Sequence, residues 1–81
     1  MTVTVRFYAW LRDAAGMDAC RLDLPEEADG HALKAVLARR FDAMVGWLAA
    51  CRLAVNWEYR PWDARICPGD DVSVIPPVNG G

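Results

Sequence analysis

The 81-residue sequence predicts one small α+β domain in which a mixed β-sheet is crossed by a single main helix. Segments with period-two alternation lie near both ends of the chain, and a segment with apolar residues at helical spacing lies between them. The length is enough for one domain and excludes two. With 54% hydrophobic and 25% charged residues, the chain is too apolar to be a disordered tail.

The first two predicted strands form a β-hairpin with a broad connection. Residues 3–10 are β-branched and aromatic and alternate between apolar and polar positions. A short helical turn or loop is expected over 11–16, where a glycine closes it. Alternation returns over 19–24 and stops at Pro25, which cannot donate a ladder hydrogen bond.

The predicted helix spans residues 30–41 and lies on the sheet. Asp29 precedes it as the N-cap residue, and two arginines stand near its end, where the helix dipole favours cations. The apolar residues at helical spacing are Leu33, Val36, Leu37 and Phe41. Residues 42–50 are apolar but poorly periodic, so we expect a connection that contains a short helical turn.

Three further strands complete the predicted sheet. They are expected over 52–57, over the short segment 62–67, and over 71–76 after a turn at 68–70. The order of strand, strand, helix, strand, short strand and strand describes the α+β domain, but it leaves the function open.

The three cysteines and the one histidine form no recognisable metal or disulfide pattern. The number of cysteines is odd, and no two of them have C-x-x-C spacing; they are Cys20, Cys51 and Cys67. We expect buried structural thiols in a reducing cytoplasm, and an exposed reactive thiol is the alternative. No nucleophile or carboxylate stands at a spacing from His31 that is typical of a catalytic pair, so we expect His31 to be an ordinary residue of the first helical turn.

The charge balance and hydropathy exclude two classes of partner. Nine basic and eleven acidic residues give a net charge of -2, which disfavours nucleic acid. No run of about 18 apolar residues exists, and the N-terminus lacks a basic patch followed by an apolar stretch. We therefore expect a cytoplasmic protein without a membrane span or a secretory signal.

The last six residues, 76–81, are expected to leave the sheet as an extended C-terminal arm. Pro76 and Pro77 forbid further ladder pairing and favour a polyproline backbone. Six extended residues span about 20 Å, which is enough to enter a pocket on another protein. Gly80 and Gly81 lack side chains, so the terminal carboxylate can pass through a narrow channel. A frayed end is the alternative interpretation.

Chemistry at the Gly81 carboxylate would require activation, because a free carboxylate is a poor electrophile. Phosphoryl or adenylyl transfer from ATP is the usual route, and the chain has no P-loop of its own. An arm without neighbouring acids, bases or metal ligands must borrow its catalytic groups from partners. We therefore expect a chain that is not catalytic on its own and that binds no metal or cofactor.

Two motifs carry a resemblance to a known family. The C-terminal run G-D-D-V-S-V-I-P-P-V-N-G-G over 69–81 is similar to the ending G-D-E-V-x-x-x-P-P-V-x-G-G. The run F-Y-A-W-L-R-D-A-A-G over 7–16 is similar to F-[FY]-A-x-[VL]-R-[ED]-x-x-G, and Val55-Asn56 matches a V-N pair before the penultimate hairpin. Over nearly its whole length the chain resembles the ThiS/MoaD family, and within it MoaD, the small sulfur-carrier subunits of molybdopterin synthase.

The resemblance implies a ubiquitin-like β-grasp fold and a cycle of sulfur transfer in molybdenum cofactor biosynthesis. An adenylating enzyme similar to MoeB would convert the Gly81 carboxylate to an acyl-adenylate, and a sulfur donor would then leave a thiocarboxylate. The arm would enter a large subunit similar to MoaE and donate sulfur to cyclic pyranopterin monophosphate. A heterotetramer of two small and two large subunits is implied.

The resemblance also implies which residues contact the partners. Tyr8, Tyr59 and Ile75 match apolar contact positions beside the tail, and Arg12 matches an arginine of the family. Ordinary packing on the sheet face is an equal alternative for Tyr8 and Ile75. The implied partner contacts are Tyr8, Arg12, Tyr59, Ile75, Pro76, Pro77 and Val78, and the implied reactive end is Gly80 with Gly81.

Four tryptophans, at positions 10, 47, 57 and 62, depart from the family pattern. We expect some of them in the core, and an exposed cluster would indicate a different or extended partner surface.

Two alternatives to the pterin pathway stay open. The first is a sulfur carrier for thiamin, tRNA thiolation or cysteine synthesis, although the Pro-Pro-Val run and the chain length favour the pterin partner. The second is a ubiquitin-like protein modifier or an interaction module, for which Lys34 would be the single internal lysine acceptor.

Overall fold

A computed structural model describes residues 1–77 of the chain, which form a five-stranded mixed sheet with two helices. The strand order is β2-β1-β5-β3-β4, and only the central pair β1 and β5 is parallel. This is the β-grasp arrangement, so the predicted fold class is confirmed. The elements are β1 (Thr2–Phe7), α1 (Trp10–Ala15), β2 (Ala19–Asp23), α2 (Gly30–Arg40), β3 (Arg52–Val55), β4 (Glu58–Arg60) and β5 (Asp71–Ile75).

The core lies between the helices and one face of the sheet. Alternate residues of β1, β2, β3 and β5 point to this face, as the pleat requires, and their burial drives the helices onto the sheet, whereas β4 is exposed throughout. Leu33 and Leu37 of α2 and Leu11 of α1 are fully buried against it. The strand residues of the core are Val3, Val5, Phe7, Leu22, Leu53, Val55, Val72 and Val74.

The main helix begins as the sequence predicts and ends one residue earlier. The Asp29 carboxylate accepts a hydrogen bond from the Ala32 backbone N–H at 3.0 Å, which confirms the predicted N-cap. Phe41 is extended and ends the helix. Two short 3₁₀ turns follow, over 42–44 and 48–50, where a short helical turn was expected.

The predicted fourth strand over 62–67 is wrong. The strand lies at Glu58–Arg60, and it pairs with β3 through a two-residue turn. The turn residues Asn56 and Trp57 have φ angles of 51° and 71°, so β3 ends at Val55 rather than at the predicted position 57. Residues 62–67 form turns that contain only an isolated bridge between Asp29 and Arg65.

The first strand is shorter than the predicted range 3–10. It ends at Phe7, and Ala9 has a φ of 51°, which turns the chain into α1. Trp10 is therefore the first residue of a helix rather than the last of a strand. Gly16 closes this helix in the left-handed conformation, as expected for a C-terminal glycine.

The last strand ends at Ile75, immediately before the two prolines that remove ladder donors. Pro76 is still buried and Pro77 is exposed. The predicted arm over 76–81 thus begins with a residue that packs against the domain, while its residues 78–81 lie outside the described part of the chain. Within residues 1–77, neither helix has the length and hydropathy needed to cross a bilayer.

Candidate functional site

The side of the sheet opposite the helices, here called the outer face, holds the candidate site. Strand register places four of its residues in one row across the sheet, because Arg6 pairs with Ser73, Ser73 with Ala54, and Ala54 with Tyr59. Arg6, Ser73 and Ala54 each alternate with core residues along their own strands, and Tyr59 extends the row onto β4, which is exposed throughout. The row therefore crosses the outer face from β1 to β4.

Two small residues at the centre of this row form the floor of a depression. Ala54 and Ser73 are buried although they lie on the outer face, and Ser73 is only 2% exposed. Larger side chains surround them and leave a cleft of about 170 Å³. We call this the aromatic cleft; it is lined by Tyr8, Ala54, Trp57, Tyr59, Ser73 and Ile75.

The polar groups of the cleft are few. The hydroxyl oxygens of Tyr8 and Ser73 lie 3.5 Å apart, so one donates a long hydrogen bond to the other. Trp57 and Tyr59 are 67% and 56% exposed, which is high for aromatic residues. The cleft is therefore suited to receive an apolar side chain from another molecule.

Asn56 fixes the turn that carries Trp57. Its backbone N–H donates to the Asp71 carbonyl at 2.7 Å, and its side-chain oxygen accepts from the Asp71 N–H at 3.0 Å. Its side-chain amide also donates to the Asp70 carboxylate at 3.0 Å. The β3–β4 turn is thereby tied to the start of β5, which accounts for an asparagine after Val55.

Arg6 borders the cleft beside Trp57. Its Nε donates to both carboxylate oxygens of Asp71, at 2.8 and 3.1 Å, and its Cζ lies 5.6 Å from the Trp57 ring centroid. The hydrogen bond to Asp71, together with the charge of that carboxylate, raises the pKa of Arg6 above its ordinary value. This guanidinium is therefore charged and already paired.

Arg52 borders the other side of the cleft. It is the cross-strand partner of Ile75, and its Cζ lies 3.7 Å from the centroid of the Tyr59 ring. This is a close cation–π contact. Within residues 1–77, the ion pairs shorter than 4.0 Å involve other arginines, so Arg52 has no described carboxylate partner.

The cleft lies at the base of the C-terminal segment. Because β1 and β5 are parallel, their carboxyl ends reach the same edge of the sheet. Tyr8 follows β1 and Ile75 ends β5 at this edge, and the chain continues from Ile75 into Pro76 and Pro77. A partner that receives the end of the chain would pass next to the cleft.

The structure brings three of the residues implied as partner contacts together and leaves one apart. Tyr8, Tyr59 and Ile75 share the aromatic cleft. Arg12 lies on α1, is exposed, and approaches Asp18 at 3.8 Å in a separate shallow groove. Of the remaining predicted residues, Pro76 is buried, Pro77 is exposed, and Val78, Gly80 and Gly81 lie outside the described residues.

Three residues of this site were not predicted from the sequence, namely Trp57, Arg52 and Arg6. Alternation in β1 already puts Arg6 and Tyr8 on one side of the chain, which was a usable signal. Trp57 and Arg52 depend on the β3–β4 turn, which was predicted in the wrong place. The expectation that some tryptophans lie in the core is also wrong, because only Trp62 is even partly buried against it.

The cysteines offer no nucleophile in the buried part of the domain. Burial raises the pKa of the Cys20 and Cys51 thiols above the ordinary value, which disfavours the reactive thiolate. Cys67 is exposed, contrary to the expectation of buried thiols, whereas Cys51 fulfils it. In the described part of the chain, no group of three or more metal-ligating side chains comes together.

Comparison with known proteins identifies relatives over the whole chain. The sequence profile of the ThiS family matches residues 5–81. The chain is 32% identical over 83 residues to the molybdopterin synthase sulfur carrier subunit of Chlamydomonas reinhardtii, and the alignment covers 100% of both proteins.

Solved structures with the same fold include chains described as molybdopterin-converting factors. One, from Pyrococcus furiosus, is described as a candidate subunit 1; it is 31% identical with a TM-score of 0.88, over 96% of this chain and 99% of that one. Another belongs to a complex of subunits 1 and 2 from Helicobacter pylori 26695. It is 27% identical with a TM-score of 0.71, over 100% of both chains.

Proposed function

The chain belongs to the ThiS family, and from this premise we propose that it is the sulfur carrier subunit of a molybdopterin synthase. The observation that carries the proposal is the aromatic cleft beside the strand that leads into the terminal Gly80-Gly81 pair. A carrier needs a surface that binds its partner and, next to it, a chain end that can reach the partner's active site. The cleft supplies such a surface, and the terminal glycines, which have no side chains, supply such an end. The full-length match to a sulfur carrier subunit supports the pterin pathway over other sulfur pathways.

In the proposed cycle, the Gly81 carboxylate is first activated by an adenylating enzyme similar to MoeB. A carboxylate oxygen attacks the α-phosphorus of ATP, pyrophosphate leaves, and an acyl-adenylate forms. Hydrosulfide delivered by a sulfur donor then attacks the acyl carbon, AMP leaves with the electron pair of the broken C–O bond, a proton is released, and a thiocarboxylate results. The carrier itself binds no cofactor in this scheme, and because the cycle consumes ATP, we expect it to run in the cytoplasm.

The charged carrier then docks on a large subunit similar to MoaE. The solved complex of subunits 1 and 2 from Helicobacter pylori supports such a partner. We propose that Tyr8, Tyr59 and Ile75 of the cleft contact the large subunit while Pro77 and the residues after it enter its active site. In each of two deliveries, the thiocarboxylate sulfur forms a bond to a carbon of cyclic pyranopterin monophosphate as a carbon–oxygen bond of that substrate breaks. Water then cleaves the acyl–sulfur bond, which returns the Gly81 carboxylate and leaves the sulfur on the substrate as one of the two sulfurs of the dithiolene. A heterotetramer with two carriers would place one carrier at each active site.

The proposal predicts that the chain acquires one sulfur atom at its C-terminus. The purified protein is incubated with the adenylating enzyme, MgATP and a sulfur donor, and its intact mass is measured. We expect the mass increase that corresponds to exchange of one oxygen for sulfur. Addition of the large subunit and cyclic pyranopterin monophosphate should return the mass to its starting value and yield the dithiolene product.

Two variants serve as controls for the site of modification. Deletion of Gly81, or Gly80→Leu, should abolish sulfur incorporation and leave thermal unfolding nearly unchanged, because the hydrophobic core of residues 1–77 is built from side chains that precede both positions. An unchanged mass of the full chain, or a lysine-linked adduct at Lys34, would contradict the proposal. A large loss of stability in either variant would show that the end of the chain is structural.

A further inference from the structure

We propose that Arg52, held on the face of Tyr59, determines partner specificity by binding a carboxylate on the large subunit, next to an apolar side chain that enters the aromatic cleft. This inference rests on the proposed function, because the partner is the large subunit that receives the tail. It specifies the residues of the large-subunit segment that docks on the cleft: an Asp or Glu beside an apolar residue.

The position of Arg52 follows from the sheet. Tyr59 pairs with Ala54, so Arg52 and Tyr59 are diagonal neighbours across the β3–β4 pair, within reach of long side chains. The distance of 3.7 Å puts the guanidinium on the ring face. The contact restricts a flexible side chain, and within residues 1–77 the side-chain hydrogen bonds from arginines are those of Arg6 and Arg60. Little further ordering of Arg52 is therefore needed to bind an acceptor.

The charges around the cleft leave Arg52 as the available cation. Arg6 is paired with Asp71 at 2.8 Å, and Arg60 is paired with Glu58 at 3.2 Å. Within the described residues, no carboxylate approaches Arg52 to within 4.0 Å. A partner carboxylate can therefore bind here without displacing an existing ion pair.

A carboxylate fits this position better than a phosphate-rich ligand does. Its two oxygens in one plane match the guanidinium fork, which permits two parallel hydrogen bonds. The chain carries a net charge of -2, so its long-range field gives no attraction to polyanions. The adjoining cleft of about 170 Å³ is lined largely by apolar atoms of aromatic and aliphatic side chains, which suits one apolar side chain of the same segment.

The experiment measures the affinity of the carrier for its large subunit by titration, using charge and shape variants. Arg52→Glu should weaken binding at least about tenfold, because it places like charges together at the interface. Arg52→Lys should fall between this variant and the wild type, since it keeps the charge but loses the planar fork. Tyr59→Phe should bind like the wild type, and Tyr59→Ala should bind weakly.

Arg39→Glu is the matched control. Arg39 is exposed near the end of α2, on the other side of the sheet, and it makes no ion pair within the described residues. This variant should bind like the wild type, although its net charge equals that of Arg52→Glu. The wild-type affinity should also fall with added salt, and this dependence should be smaller for Arg52→Glu.

The possible results distinguish a failure of the inference about Arg52 from a failure of the proposed function. Equal affinities of Arg52→Glu and Arg39→Glu would overturn the inference and leave the carrier function intact. Binding by Arg52→Lys as tight as wild type would overturn the carboxylate fork as the mode of recognition. A wild-type chain that acquires no sulfur and does not bind the large subunit would overturn the proposed function and the inference together.

Discussion

Gly30 is the residue whose missing side chain lets the main helix begin where it does. A Cβ atom at this position would lie 2.5 Å from the Trp62 carbonyl oxygen and 2.9 Å from Leu53 Cδ2. The helix start also forms backbone hydrogen bonds with the same loop, from Gly30 N–H to the Ala64 carbonyl and from His31 N–H to the Trp62 carbonyl. The loop and the helix can approach only because this side chain is absent.

We predict that Gly30→Ala lowers the free energy of unfolding by about 1–3 kcal/mol, because the added methyl group overpacks a backbone contact. The measurement is urea denaturation followed by tryptophan fluorescence. Gly46→Ala is the control, since a Cβ there would have no heavy atom within 4 Å. Equal midpoints for the two variants would contradict the close approach.

At the scale of elements, the β3–β4 hairpin depends on one turn residue. Asn56 has a positive φ and makes three hydrogen bonds to the segment that begins β5. We predict that Asn56→Ala costs about 1–3 kcal/mol of stability, because it removes side-chain bonds and forces alanine into the left-handed region. It should also weaken large-subunit binding, since the turn carries Trp57.

Asn56→Gly separates the two causes. Glycine accepts a positive φ without strain but forms no side-chain hydrogen bonds, so its loss of stability should be smaller than that of alanine. Chemical denaturation of both variants gives the comparison. An alanine variant as stable as the wild type would rule out this role for Asn56.

The same turn explains how far the fold could be predicted from the sequence. Alternation and helical spacing gave β1, β2, α2 and β5 to within a few residues, because each buries one regular face. The fourth strand was misplaced because the usual two-residue hairpin turn contains a glycine, and here a tryptophan takes the second position. A local pattern does not reveal that tertiary hydrogen bonds hold Trp57 in this conformation.

The candidate site was predictable in part for the same reason. The alternation of the strands predicts that Tyr8 and Ile75 lie on the sheet face of the site. The family resemblance predicts that Tyr59 belongs to the same site. To predict the contact between Arg52 and Tyr59, one must know the register of the β3–β4 hairpin, and the fourth strand was predicted at the wrong residues. The paired state of Arg6 likewise requires the parallel alignment of strands from opposite ends of the chain.

For the whole molecule, the partly buried thiol of Cys20 and the buried thiol of Cys51 make stability depend on pH in the alkaline range. Burial raises the pKa of Cys51 and Cys20 above the ordinary 9.0. Below that pH the thiols are neutral in the folded and unfolded states; above it, the unfolded chain ionises first. We predict that the free energy of unfolding falls as pH rises past 9.0 towards the folded-state values, as urea titrations across this range would measure.

The double variant Cys20→Ala/Cys51→Ala isolates this contribution. It retains every other side chain of the protein but lacks the two thiols. Its stability should fall less steeply above pH 9.0 than that of the wild type. Parallel pH profiles for the two proteins would show that the thiols contribute nothing.

The parallel pairing of β1 with β5 also has a consequence for synthesis on the ribosome. Arg6 and Asp71 pair across 65 positions, and β5, at the centre of the sheet, is translated after the other four strands. A nascent chain therefore cannot complete its core until translation has passed Ile75. Products that stop earlier lack the central strand of the sheet and should be cleared by proteolysis.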